Sequence, residues 1–167
     1  MYKLRPMQEG DIPAVMRIQA DAYAAEVLED EAVIRSRLVR CPQLAWVAED
    51  EQGLCAYLFA YHSQVGQVTP LDGEFQAYAE PNCLYLHDLA VAARAAGRGI
   101  GPALVRHNLE QASGSRLRYS ALVSVQGSEA FWSRQGYQPH EALDARQQAH
   151  LASYGIPAVY MVRNLHH

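Results

Sequence analysis

The segment Leu84-Tyr85-Leu86-His87-Asp88-Leu89-Ala90-Val91 runs through Ala92 to Ala96 into Gly97-Arg98-Gly99-Ile100-Gly101-Pro102-Ala103-Leu104. An apolar strand thus feeds a glycine turn that opens a helix, which places the chain among mixed α and β architectures. The first turn of a helix carries backbone N–H groups without intrahelical acceptors, and these form a site for an anion. Glycine lets the backbone approach such an anion closely, and Arg98 can add a charged contact to phosphate. Other phosphate loops fit less well. A dinucleotide fingerprint wants a third glycine where Pro102 stands, and the nucleoside-triphosphate loop needs a Gly-Lys-Ser/Thr that is absent.

The 167-residue chain reads as one globular domain, residues 1–167, with half its residues hydrophobic and 19% charged. The net charge of -4 shows no basic footprint for nucleic acid. No apolar run is long enough to cross a bilayer, and Met1 to Arg5 lacks a signal-peptide core, so a cytoplasmic protein without a membrane partner is expected. Cys41, Cys55 and Cys83 are too far apart for a zinc pattern or a disulfide framework, so no metal is expected. His166 and His167 are given no role.

Residues 2–5 alternate as a short strand. Asp11 caps a helix with Pro13 in its first turn and Ile12, Val15, Met16 and Ile18 on one stripe. A second helix is expected at about residues 31–39, with Val33, Ile34 and Leu38 inward. Residues 44–48 and 54–61 form a hairpin around a turn at 50–53. Residues 64–82 are a long polar loop, a kind that is often functional. The strand at 83–91 leads to a helix at about 101–112, ended by Ser113-Gly114-Ser115. A strand at 119–125, a short helix capped by Ser128 and stopped at Gly136, and a strand at 158–162 complete the chain.

With those motifs in order, the chain resembles the GNAT superfamily of N-acetyltransferases. Ala96-Gly97-Arg98-Gly99-Ile100-Gly101 matches the family's Arg/Gln-x-x-Gly-x-Gly/Ala, and Phe131-Trp132-Ser133-Arg134-Gln135-Gly136-Tyr137 matches its aromatic segment ending in Gly-Phe or Gly-Tyr. Arg94-Ala95-Ala96-Gly97-Arg98-Gly99 also fits the first motif, two residues nearer the strand; the later register is preferred. The resemblance implies a mixed α/β (α+β) sheet of about six or seven strands, mostly antiparallel, splayed at a central parallel pair and flanked by about four helices. It also implies acetyl-CoA (coenzyme A) in the splay, held by Leu89, Ala90, Val91, Gly97, Arg98, Gly99, Ile100, Gly101, Ala103, Ser128 and Phe131. The family's first Arg/Gln is Ala96 here, leaving its phosphate contact absent or supplied by Arg94 or Arg98. Pro102 offers no N–H.

The implied reaction passes acetyl from a thioester directly to a primary amine of a small molecule or peptide. His87 is the first candidate for the base, because its ordinary pKa lies near neutrality and related arylalkylamine N-acetyltransferases carry a histidine here. Tyr85 lies two residues away on the same face, and strand alternation sends Asp88 to the opposite one. The family's usual acid is a tyrosine at the position of Trp132, which cannot act as one; Tyr154 and Tyr160 are open alternatives, and Tyr137 is expected in the core. Tyr23, Glu26, Glu29, Asp30 and Glu31 lie where the family shapes its acceptor pocket, and Asp72, Glu74 and Tyr78 lie on the loop that can cover it. The alternative is an acetyl-CoA-binding module of the same fold with little or no transfer. A homodimer is compatible with the resemblance.

Overall fold

The computed structural model describes residues 1–112 and 115–165. In chain order it contains β1 (Tyr2–Pro6), α1 (Ile12–Ala22), α2 (Glu31–Arg40), β2 (Ala45–Asp50), β3 (Gly53–Ser63), β4 (Cys83–Val91) and α3 (Ile100–Ala112), followed by β5 (Tyr119–Val125), α4 (Glu129–Arg134), β6 (Gln138–Pro139), α5 (Ala145–Ala152) and β7 (Ala158–Asn164). The strands form one sheet in the order β1-β2-β3-β4-β5-β7-β6. Every neighbouring pair is antiparallel except β4 and β5. The expected mixed sheet with a central parallel pair is therefore present, with five helices rather than about four.

Alternation along the strands sends side chains to two cores. On one face Tyr57, Phe59, Tyr61 and Tyr85 pack with Ile12, Val15 and Ile18 of α1 and Ile34 and Leu38 of α2. On the other, Leu58, Ala60, Leu84 and Leu86 pack with Ile100, Leu104 and Val105 of α3 and with Trp132 of α4. Proline in the first turn suits both α1 and α3, because an N–H there has no intrahelical partner to lose.

Two features of β4 shape the centre of the molecule. Its parallel pairing with β5 runs only from Cys83↔Tyr119 to Leu86↔Leu122, although both strands continue. On its other edge, Ala60 pairs with Leu86 and Phe59 with Asp88, which leaves His87 as an extra residue opposite β3. Such a bulge bends its strand and resets which face each later side chain takes. The strands separate where the bulge lies, and a cleft opens between their ends.

Several local expectations change. Asp11 precedes α1 but does not cap it; its carboxylate accepts from the Gln8 N–H and from the Arg5 guanidinium instead. Ser128 does not cap α4 either, because its hydroxyl donates to the Val125 carbonyl and pairs with Ser124. Helix α5 and strand β6 were not expected. α5 is a short, largely polar helix capped by Asp144, whose carboxylate accepts from the Gln147 N–H. Ser113 and Gly114, expected to end α3, and the His166-His167 pair lie outside the described residues. Among the described residues, no helix is long and apolar enough to cross a membrane.

Leu104 is fully buried, whereas Val39 on α2 is 75% exposed. Urea unfolding should show Leu104→Ala losing about 2–5 kcal/mol of stability and Val39→Ala changing by less than about 0.5 kcal/mol. Equal effects would place α3 off the sheet.

Candidate functional site

The cleft between the ends of β4 and β5 has a volume of about 630 Å3, within the range of sites for sizeable ligands. Its floor is β4. The Ala92 N–H bonds the Cys55 carbonyl on the β3 side. By alternation, Ala90 also directs its backbone groups to β3, whereas Leu89 and Val91 direct theirs into the cleft. The Leu89 carbonyl is taken by the Tyr23 hydroxyl at 2.7 Å. The N–H groups of Leu89 and Val91 are thus the strand donors turned toward the cleft.

The glycine turn forms one wall. Gly97 and Gly99 have φ of +80° and +75°, a region other residues enter at a cost. Among the described residues, no hydrogen bond uses the N–H groups of Gly97, Arg98, Gly99, Ile100 or Gly101. The Ala103 N–H, by contrast, is already bonded to the Gly99 carbonyl at 3.1 Å. A Cβ at Gly101 would come within 3.6 Å of the Phe131 ring and 3.7 Å of Val91, so the helix start lies close to both walls.

The cleft is lined by His87, Leu89, Val91, Gly97, Gly99, Ile100, Gly101, Ser128 and Phe131, all anticipated from sequence. Tyr85, Ala90, Arg98 and Ala103 are not on that lining. Tyr85 is fully buried in the first core and its hydroxyl accepts from the Thr69 N–H. Arg98 reaches Asp50 at 2.8 Å, and Arg94 reaches the same carboxylate at 2.9 Å. Neither arginine replaces the missing leading Arg/Gln of the motif from that position. Sequence reasoning passed over Arg134 and Gln126, which do line the cleft. Arg134 was visible in the aromatic segment as a cation two residues before its glycine.

His87 carries the chemistry that differs most from a plain binding cleft. Its side chain is 2% exposed, and its Nε2 lies 3.2 Å from both carboxylate oxygens of Glu29. Glu29 is clamped from its other side by the fully buried Arg37 at 2.6 and 2.7 Å. Burial opposes its charge, but His87 and Arg37 hold its pKa well below the usual carboxylate range. An ionised carboxylate only accepts hydrogen bonds, so Nε2 carries the hydrogen. In the neutral ring, Nδ1 is then the proton acceptor, and it is buried without a partner among the described residues. Glu29 therefore positions His87 and is too fully paired to be the free carboxylate expected in an acceptor pocket. Glu26, Asp30 and Glu31 are exposed.

The bulge also corrects the expectation for Asp88. Because His87 is the extra residue, Asp88 turns to the same side, where it accepts from the Tyr57 hydroxyl at 2.9 Å. Burial, with Glu29 nearby, pushes its pKa up to about 6. Trp132 is mostly buried between the Phe131 and Tyr137 rings. Tyr137 lies in the core as expected, bonded to Ser120. The Tyr154 hydroxyl donates to the Thr69 carbonyl, and the Tyr160 hydroxyl accepts from the Gly66 N–H.

The loop at 64–82 closes over this cluster. The Asp72 N–H bonds Glu29 at 2.8 Å, Arg37 bonds the Gly73 carbonyl at 2.8 Å, and the Leu71 N–H bonds the Ser153 hydroxyl at 2.9 Å.

One family model, described as the acetyltransferase (GNAT) family, matches residues 12–137. No match to a curated protein sequence is found. Solved structures share the fold at low identity. GphF, a GNAT-like decarboxylase in complex with isobutyryl-CoA, is 16% identical over 98% of this chain and 100% of that one, with a TM-score of 0.80. The loading GNATL domain of CurA from Lyngbya majuscula is 11% identical over 98% of each chain, with a TM-score of 0.76. The ribosomal-protein-S18-alanine N-acetyltransferase from Escherichia coli is 14% identical over 100% of this chain and 96% of that one, with a TM-score of 0.70.

Two stability measurements check the buried cluster. Arg37→Met leaves Glu29 without its cation and should cost about 3–5 kcal/mol in urea unfolding. The two carboxylates act oppositely with pH. Glu29, held low, stabilises the fold above its usual value of 4.5 and loses that contribution as pH falls. Asp88, raised from 3.8 to about 6, contributes fully below 3.8 and loses that contribution as pH rises through about 6. Asp88→Asn removes the second dependence, so its stability relative to wild type should increase between about pH 4 and pH 7. A flat difference would show that Asp88 is not raised.

Proposed function

Because the chain belongs to the GNAT acetyltransferase family, we propose that it is an acyltransferase that binds acetyl-CoA in the cleft and passes acetyl directly to a primary amine. The observation that carries this reading is the set of unused N–H groups at Gly97, Gly99, Ile100 and Gly101, residues that line a cleft of coenzyme size. Buried or cleft-facing amides are rarely left unpaired, and a row of them at a helix start suits a pyrophosphate. Arg134 can add the charge that Ala96 cannot. We read residues 1–167 as one acetyltransferase domain, since β7 extends the sheet to Asn164, beyond the family match.

Acetyl-CoA supplies an activated thioester. The chain supplies the rest. The N–H groups of Leu89 and Val91 face the cleft and suit an oxyanion. His87 Nδ1, left free by the tautomer that Glu29 imposes, takes a proton from the amine. No tyrosine occupies the usual acid position at Trp132. A thiol pKa of about 8.5 lets the thiolate leave near neutral pH without one. That absence favours a second reading, a module that binds acetyl-CoA with little transfer.

Calorimetry with acetyl-CoA, followed by thiol release against an amine panel, separates the two. Binding and turnover are expected; binding without turnover on any amine would leave the module. Gly99→Val forces a branched side chain onto a positive φ and should weaken acetyl-CoA binding about tenfold, or about 1.4 kcal/mol. His87→Ala should lower kcat/KM about a hundredfold near neutral pH. The deficit should shrink at high pH, where free amine is abundant, and an unchanged pH–rate profile would remove His87 as the base.

A further inference from the structure

Beside the cleft lies a second, smaller space of about 40 Å3, bounded by Tyr23, Glu29, Leu71, His87, Asp88 and Tyr154. It adjoins the cleft at Tyr23, His87, Val123 and Val125, which line both. Two of its lining residues carry buried polar atoms, Asp88 Oδ1 and His87 Nδ1, that have no partner among the described residues. Asp88 is 6% exposed. Native interiors rarely leave such atoms unmet unless water or a ligand reaches them.

The charges around the chamber define what fits. Arg37 is matched by Glu29 in a bidentate pair. Asp88 receives one hydroxyl on Oδ2, from Tyr57, and has no cation of its own. A complementary guest therefore donates hydrogen bonds and carries positive charge. A guest ending in a carboxylate meets Asp88 and Glu29 and is repelled. The volume admits a few heavy atoms, about an ammonium and one or two methylenes. Leu71 and Tyr154 close the far side, and both are fastened: Leu71 through its N–H to Ser153 and Tyr154 through its hydroxyl to Thr69.

We infer that this chamber selects the acceptor, admitting a compact primary ammonium on an unbranched carbon, with Asp88 as its counter-ion and Leu71 as the limit on bulk. The inference rests on the reading of the cleft as an acetyl-CoA site. The ammonium nitrogen donates to Asp88 Oδ1 and to His87 Nδ1. One of its protons passes to Nδ1, and the freed lone pair forms the new C–N bond to the acetyl carbon. The C–S bond breaks and its electron pair leaves with sulfur, which takes the second amine proton. The products are an amide, a thiol and protonated His87. A peptide N-terminus with a side chain on its α-carbon is too broad at the point of entry, and an anionic acceptor is disfavoured by charge.

The test compares ethylamine, isopropylamine, glutamate and a peptide beginning with alanine, each with acetyl-CoA. Ethylamine should give a kcat/KM at least about tenfold above the others, as one lost contact or one clash in such a site requires. Asp88→Asn, checked for an intact thermal transition, should raise the KM for ethylamine about tenfold while leaving the Kd for acetyl-CoA unchanged. Leu71→Ala should narrow the gap between ethylamine and isopropylamine. A preferred peptide or branched amine, or an unchanged KM in Asp88→Asn, would overturn the inference. Release of carbon dioxide from malonyl-CoA without an amine would also overturn it, because the chamber would then accept a carboxylate. A coenzyme-free arm keeps the two readings separate. Ethylammonium chloride alone should raise the melting temperature of wild type and not of Asp88→Asn. That result without acetyl-CoA binding would sink the coenzyme reading and keep the chamber, whereas acetyl-CoA binding with no ethylammonium response would do the reverse.

Discussion

A parallel strand pair that stops pairing before its strands end leaves backbone donors and acceptors facing one another across a gap. Such groups must find partners. In this molecule β4 and β5 stay together only to Leu86 and Leu122, and the space beyond is met from several sides. Tyr23 of the segment after α1 takes the Leu89 carbonyl, Phe131 and Trp132 of α4 close one wall, and the start of α3 presents its amides to the same opening. The placement of helices on the two faces follows from the two cores. The cleft follows from the gap.

Glu29 ties the opposite side together. It lies in the link between α1 and α2, yet its backbone bonds the Gln19 side chain in both directions, and its carboxylate receives Arg37, His87 and the Asp72 N–H. Helix, strand and loop therefore meet on one buried anion. A charge this deep persists only because each oxygen is met by charged or polar donors. The same arrangement fixes the ring of His87, so the requirement of stability and the orientation of a proton acceptor are satisfied by one set of contacts.

Much of the fold was legible in the sequence because its signals were local. The strand at Tyr119–Val125, the helix with Pro102 in its first turn and the glycine turn follow from residue type and spacing, and the structure has them there. The bulge at His87 was not legible. Leu84 to Val91 carries His87 and Asp88 side by side in an otherwise apolar run, and strict alternation assigns them opposite faces; the change of register exists only in the pairing with β3. That single insertion moved Asp88 from the supposed far face to the chamber. Arg37 was equally hidden, since an arginine inside a polar helix reads as solvated until the loop above it is placed. Strand alternation assigns Tyr85 to the face of His87 and the family resemblance assigns Ala90 to the coenzyme, but strand geometry sends one into the core and the backbone of the other to β3.

Because Glu29 grips both the Asp72 amide and the His87 ring, the position of the loop and the orientation of the imidazole are linked. Whatever strengthens the hold of the loop on Glu29 steadies the ring held by the same carboxylate, and the reverse holds equally. Residues 64–82 are thus more than a roof. They form one arm of a brace whose other arm is the imidazole, and changes at its tip are transmitted to the seat of that ring at the centre of the molecule.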